Sequence, residues 1–171
     1  NRFSFRKEDW RGNVRVGIGY DAHRLIPGKG MHLGGIFIEC EYSIEAHSDG
    51  DVIIHALIDS LLGAAALGDI GSLFPSKDPE NKDISSTVLL TQVIDLLDSK
   101  NYEVINIDIT LIAETPKIHQ KTDQIIDSLS KNLRVTKSSV SCKATTTDGL
   151  GFEGEKKGIA CQAISLIEKK D

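Results

Sequence analysis

The chain has 171 residues, enough for one domain to bury a core without disulfides or metal staples. Its 40% hydrophobic and 26% charged residues are ordinary for a globular protein, and no apolar run approaches the roughly 20 residues of a helical membrane span, which argues against a membrane partner. A formal charge of −5 and a pI near 5.5 argue against nucleic acid, so an anionic ligand must be held by a local device such as a metal ion or a helix N-terminus.

The first 13 residues, NRFSFRKEDWRGN, are polar and basic and read as a disordered or processed extension ahead of a single domain over residues 14–171. Arg6, Lys7, Arg11 and Arg15 interleave with Glu8 and Asp9, as in a solvated tail. Residues 14–20 form a β-rich run, followed by a turn-rich segment around 27–30. Gly17, Gly19 and Ala22 match G-x-G-x-x-A, but Pro27, Gly28 and Gly30 break the helix that a dinucleotide-binding turn requires. A second strand is expected over 31–38, interrupted by Gly34 and Gly35. The apolar, alanine-rich stretch 52–67 is too long for a strand and predicts a helix, with Gly68 as its C-cap.

Residues 68–83 carry Gly, Pro, Asn and Asp at turn spacing and predict a long loop, of a length that usually serves function. Ser85 or Ser86 caps a helix to about Lys100. Residues 102–113 alternate as a strand, with Ile105, Ile107, Ile109 and Leu111 on one face. Pro116 fits the first turn of a third helix reaching about Leu133. Residues 140–147 read as a strand, and 158–167 as strand or helix. The expected architecture is an α/β (α+β) sandwich, a mixed sheet covered by helices on one side. Cys40, Cys142 and Cys161 are widely spaced and lack a C-x-x-C, which makes them small buried residues of a reducing compartment rather than a disulfide or zinc framework.

HSDGDVIIHALIDS, residues 47–60, crowds charge at the start of the first helix. Ser48 or Asp49 can cap that helix, and Asp51, His55 and Asp59 then follow at i, i+4, i+8 on one face. Asp21 and His23, two apart in extended chain, point to the same side. With Ile53, Ile54, Leu57 and Ile58 around it, His55 sits near the core boundary, where an unpaired ring is costly. Spacing leaves two readings: His55 hydrogen-bonds Asp51 or Asp59, or it joins Asp21 and His23 as a third metal ligand. One carboxylate and two imidazoles suit Zn²⁺ and leave a fourth position open. Such a site carries a net positive charge that draws phosphate to an acidic protein.

A second cluster, KATTTDGLGFEG over residues 143–154, offers the hydroxyls of Thr145, Thr146 and Thr147 to phosphate or ribose oxygens. Asp148 is a hard oxygen ligand suited to Mg²⁺ on a diphosphate, although the same segment also reads as a Thr-rich edge strand with an Asp-Gly turn. His32 and His119 read as ordinary surface or turn histidines.

Taken together, GIGYDAHR, AHSDGDVIIHALIDSLLGAAALGDIGSLFP, AETPKI and KATTTDGLGFEG…GIACQA resemble the 2-C-methyl-D-erythritol 2,4-cyclodiphosphate synthases, over nearly all of the chain from Arg15 onward. The resemblance implies a homotrimer whose sheets face the three-fold axis, with active sites between subunits. It implies a phosphorus–oxygen lyase of the non-mevalonate isoprenoid precursor route, acting on 4-diphosphocytidyl-2-C-methyl-D-erythritol 2-phosphate, whose 2-phosphate attacks the β-phosphorus and expels CMP. Asp21, His23 and His55 would be zinc ligands, and Asp148 a ligand to Mg²⁺ or Mn²⁺ where relatives usually carry Glu. His47 and Thr146 would stabilise the transition state, with Ser48 also on the phosphates and Thr145 and Thr147 as substrate-binding residues. Asp69, Ile70 and Gly71 fall on the methylerythritol site, and a loop from Phe74 to Asp78 would close over substrate. Residues 113–119, with Ala113, Pro116, Lys117 and Ile118 as contacts, would hold cytosine, largely by backbone groups. Phe152 falls on a hydrophobic axial channel that holds an isoprenoid diphosphate in relatives; Glu155 stands there in place of their Arg, leaving Lys156 or Lys157 as the nearby cations. The implied compartment is a bacterial cytoplasm, or a plastid-like organelle after removal of an upstream targeting segment. Two rival readings are a zinc-dependent phosphoesterase using water, and a catalytically idle trimer that binds isoprenoid diphosphates.

Overall fold

The computed structural model describes residues 13–46, 48–75 and 84–170; residues 1–12 of the expected extension, His47, and the loop residues 76–83 lie outside them. In chain order the elements are β1 (Val14–Pro27), β2 (Met31–Leu33), β3 (Ile36–Ile38), β4 (Tyr42–Glu45), α1 (Val52–Ala65), α2 (Ile70–Leu73), α3 (Ser86–Ser99), β5 (Tyr102–Ile112), α4 (Thr122–Leu133), β6 (Val140–Thr145), α5 (Gly151–Gly154) and β7 (Gly158–Lys169). A five-stranded mixed sheet, ordered β4-β1-β7-β5-β6, is parallel only between β5 and β6. Helices α1, α3 and α4 cover one face, as the sequence predicted. Among the described residues no helix is long and apolar enough to cross a membrane.

The segment 158–167, ambiguous in sequence, is the central strand β7, because Ile159, Cys161, Ala163, Ser165 and Ile167 alternate inward against the helices. Residues 31–38 are not one strand. Leu33 pairs with Ile36, leaving Gly34 and Gly35 as a two-residue turn with φ of 63° and 78°, which only glycine adopts without strain. The fully buried Asp51 joins this hairpin to α1. Its carboxylate accepts from Gly34 N at 2.8 Å, Gly35 N at 2.7 Å and Ile54 N at 3.1 Å, so Asp51, and not Ser48 or Asp49, is the N-cap of α1.

Helix α1 is buried over most of its surface because both sides are covered, by β1 and β7 beneath and α3 above, leaving His55 and Asp59 part-buried on one stripe. Its C-cap is Ala66 in the left-handed region, whose N–H reaches the Leu62 and Gly63 carbonyls; Gly68 lies two residues beyond. The expected loop 68–83 contains α2, capped where Asp69 accepts from Ser72 N. In β5 a bulge between Val104 and Asn106 takes Ile105 out of the expected apolar row, and Val104 packs on the core beside Ile107, Ile109 and Leu111. Pro116 precedes its helix instead of opening it. The buried Ile118 anchors a single turn, its carbonyl accepting from Lys121 N and Thr122 Oγ1, and α4 follows.

The decoy glycines have a packing role. A Cβ on Gly17 would lie 2.0 Å from Ser60 O, and one on Gly19 would lie 1.9 Å from Ala56 O, both backbone atoms of α1. Helix and strand therefore touch backbone to backbone. The Gly19→Ala variant is expected to lose about 3 kcal/mol or more, the upper end for overpacking, lowering Tm by roughly 6–12 °C in a chain of this size. Thermal unfolding followed by circular dichroism checks it, and an unchanged Tm would contradict the close approach.

Candidate functional site

On β1 the inward row is Gly17, Gly19, Asp21, His23, every second residue. The two glycines let α1 settle against the strand, and the next two positions meet His55 on its first turns. His23 Nδ1 lies 2.9 Å from Asp21 Oδ2, and His55 Nδ1 lies 3.2 Å from the same oxygen. The three donor atoms lie within 4.8 Å of one another, all partly shielded from solvent. Asp21 Oδ2 and His23 Nδ1 are buried yet have no hydrogen bond of proper geometry. Lone pairs that converge without a shared proton fit a cation, and an N₂O set of this kind fits zinc.

Of the two sequence readings for His55, pairing with Asp51 or Asp59 does not occur. Asp51 is occupied by backbone N–H groups, and Asp59 accepts from Ile70 N at 2.7 Å. On its far side the His55 ring meets Ser86 Oγ at 3.0 Å and Ser48 Oγ at 3.4 Å. Burial pushes the Asp21 carboxyl up, but the two imidazoles outweigh it and hold it down at about 2. Burial alone would lower His55, while Asp21, aided by Asp51 and Asp49, raises it above its ordinary value.

A separate cavity of about 710 Å³ is lined by Ala113, Pro116, Lys117, Ile118, Thr145 and Thr146 with neighbours from β6 and the start of α4. The structure thus unites the residues expected at cytosine with two of the three threonines. His119, the last residue of the segment expected at cytosine, also lines it. Thr146 Oγ1 donates to Asp148 Oδ1 at 3.2 Å, and Asp148 sits exposed in the left-handed region (φ 52°); Thr147 Oγ1 donates to Leu150 O. Across the sheet Asp21 pairs with Cys161, Cys161 with Leu111 and Leu111 with Ala144, so the metal cluster and the cavity lie three strands apart, about 14 Å. Within one chain the cluster and the cavity stay apart.

Asp69, Ile70 and Gly71 form the start of α2, tied to α1 through Asp59, and the half-buried Phe74 follows. His47 and Asp78 lie outside the described residues. Phe152 lines a cavity of about 310 Å³ with Ala22, His23, Arg24, Lys157 and Gly158, and Lys157 there pairs with Glu155. Burial pushes the Cys142 thiol up to about 11 and raises Cys161 further, so both are inert packing groups.

Residues 14–168 match the model of the YgbB family. The chain belongs to the YgbB family. A relative of this family from Clostridium novyi, 2-C-methyl-D-erythritol 2,4-cyclodiphosphate synthase, is 49% identical over 92% of this chain and 100% of its own length. Plasmodium falciparum IspF, solved as its CDP complex, superposes with a TM-score of 0.82 at 38% identity, covering 93% of this chain and 98% of that one. The bifunctional IspDF of Campylobacter jejuni superposes with a TM-score of 0.88 at 37% identity, and this chain, of which 92% is covered, spans 43% of it. Within the YgbB fold, sequence reasoning missed Ser86 and Asp49 as neighbours of His55. A serine at a helix start, far along the chain from a capping-type Asp, gives no local sign that the two meet.

The two pKa shifts define a pH window for the metal-free protein. Asp21, lowered from 3.8 to about 2, contributes stability above pH ~4 that is lost as pH falls toward 2. His55, raised above 6.5, contributes below that value and loses it as pH rises through its folded pKa. Denaturant unfolding in chelator is expected to show the pairing of Asp21 with His55 contributing most between about pH 4 and 6.5, and to show no such maximum for His55→Ala.

Proposed function

We infer that the chain converts 4-diphosphocytidyl-2-C-methyl-D-erythritol 2-phosphate to 2-C-methyl-D-erythritol 2,4-cyclodiphosphate and CMP. The observation that carries this reading is the pairing, in one YgbB-family chain, of a convergent Asp-His-His cluster with a cavity walled by the cytosine and threonine segments. The CDP held by the Plasmodium relative supports a cytidine ligand.

Asp21, His23 and His55 would hold Zn²⁺, and Asp148 would hold Mg²⁺ or Mn²⁺, and such ions when bound neutralise diphosphate charge and polarise phosphorus. In the step itself an oxygen of the 2-phosphate forms a bond to the β-phosphorus. The bond from that phosphorus to the bridging oxygen breaks, and its electron pair leaves with CMP, which is a phosphorus–oxygen lyase reaction. The phosphate dianion is already a nucleophile near neutral pH, so the chain's residues orient rather than deprotonate. Thr146, with Thr145 and Thr147 beside it, and His47 and Ser48 from the α1 entry would donate to phosphate oxygens as charge shifts toward CMP. Ala113, Pro116, Lys117 and Ile118 hold the base, while Asp69, Ile70 and Gly71, with Phe74 and Asp78 in the closing loop, hold the methylerythritol.

The half-sites about 14 Å apart support assembly of the active site from two copies, with the cluster of one facing the cavity of the next. The sheet face away from the helices supports a homotrimer built on that face: Val16 and Ile18 are 67% and 66% exposed, with Tyr20 and Ile164 beside them. An isoprenoid diphosphate on the axis near Phe152 would meet Arg24 and Lys157 as the cations of that cavity, each already ion-paired, with Glu45 and Glu155 respectively.

Phosphorus NMR of the turnover mixture tests the activity. A cyclic diphosphate signal plus CMP is expected; a linear phosphorylated sugar would instead make the protein a phosphoesterase, and no turnover an idle trimer. The His55→Ala variant is expected to lose zinc and to slow by roughly a thousandfold, about 4 kcal/mol of barrier. Full zinc content with full turnover in that variant would overturn the site.

A further inference from the structure

The His55 ring offers only Nδ1 to the metal cluster, and what its other nitrogen meets decides where the proton sits. Nε2 points to Ser86 Oγ at 3.0 Å. Ser86 is the first residue of α3 and is fully buried. Both of its polar donors go to one carboxylate: its backbone N donates to Asp49 Oδ2 at 2.9 Å, and its hydroxyl donates to Asp49 Oδ1. Asp49 Oδ1 also accepts from Asp51 N at 3.3 Å.

These contacts fix a direction. An ionised carboxylate only accepts, and a serine hydroxyl has a single proton. With that proton directed to Asp49, Ser86 Oγ meets His55 as an acceptor, so His55 Nε2 carries the hydrogen. A neutral imidazole then has its lone pair on Nδ1, the atom 3.2 Å from Asp21 Oδ2. Ser48 Oγ, more distant at 3.4 Å, is a weaker contact.

We propose that Asp49 and Ser86 are positioning residues that hold His55 in its Nε2–H tautomer and aim the Nδ1 lone pair at the point where Asp21 and His23 converge. The inference rests on the reading of those three residues as zinc ligands. Hydrogen-bond partners on the far nitrogen of a ligating histidine typically alter metal affinity by 10–100-fold.

Two readouts on the full chain test this, neither of them turnover. The first is a zinc titration against a competing chelating dye. The Ser86→Ala variant is expected to bind roughly 10–100-fold more weakly, and Ser86→Thr, which keeps the hydroxyl, to stay within about threefold of wild type. The second is nitrogen-15 NMR of labelled histidine in metal-free protein, at a pH above the His55 titration seen in the same spectra. Wild type and Ser86→Thr are expected to show His55 protonated on Nε2. In Ser86→Ala, and in Asp49→Asn, whose amide can donate to Ser86 Oγ, the proton is expected to redistribute toward Nδ1. Unchanged zinc affinity and an unchanged tautomer in Ser86→Ala would overturn the proposal. A wild-type chain that binds no zinc would overturn the metal reading alone, and a wild-type His55 protonated on Nδ1 would overturn the positioning role alone.

Discussion

Everything at the candidate metal centre depends on how closely α1 lies on β1. Two missing side chains, at Gly17 and Gly19, let the backbones of strand and helix touch, and any Cβ there would meet a helix backbone atom near 2 Å. With the helix held at that distance, the next two residues on the same strand face, Asp21 and His23, fall opposite His55. A helix standing off by the thickness of an alanine would separate the strand's donors from the helix's donor. Asp51 fixes the remaining freedom by capping α1 and gripping the β2–β3 turn with one carboxylate, so the helix cannot slide along its axis without losing the two hydrogen bonds to Gly34 N and Gly35 N.

Electrostatics explains why such a centre suits an acidic protein that handles a phosphorylated sugar nucleotide. Asp21, Asp49, Asp51, Asp59 and Asp69 all lie on or near the segments that form the site, and bare carboxylates repel phosphate. The structure occupies most of them internally: Asp51 and Asp49 with backbone N–H groups, Asp59 with Ile70 N, Asp69 with Ser72 N. Asp21 is the exception, with a buried oxygen lacking a well-directed donor. The one carboxylate left without such a partner is the one that faces two imidazoles, which is the arrangement a divalent cation satisfies.

Much of this was legible in the sequence because it depends on short-range periodicity. Alternation placed Asp21 and His23 on one face, and the length of the 52–67 stretch separated helix from strand. What sequence could not supply came from long-range packing. The inward row of β7 is too mixed, with cysteine, alanine and serine among isoleucines, to be told from a helix until β1 and β5 flank it. The bulge at Ile105 leaves the apolar alternation unbroken to the eye while moving the residue off the core. Asp51, Asp49 and Ser48 are chemically alike as caps, and only the neighbouring hairpin and α3 decide that Asp51 caps α1 while Asp49 meets Ser86. The G-x-G-x-x-A match was rightly rejected as a nucleotide turn, yet its glycines proved to be the packing contact on which the site rests.

The zinc site proposed for Asp21, His23 and His55, completed by the cytidine cavity of a second copy, can be observed in a crystal. Anomalous diffraction at the zinc edge, from crystals grown with zinc and CDP, tests it most directly. One zinc peak is expected among those three residues, with the cytosine in the Ala113–Ile118 cavity of an adjacent copy. Zinc bound elsewhere, or CDP bound with its phosphates remote from every such cluster, would contradict it.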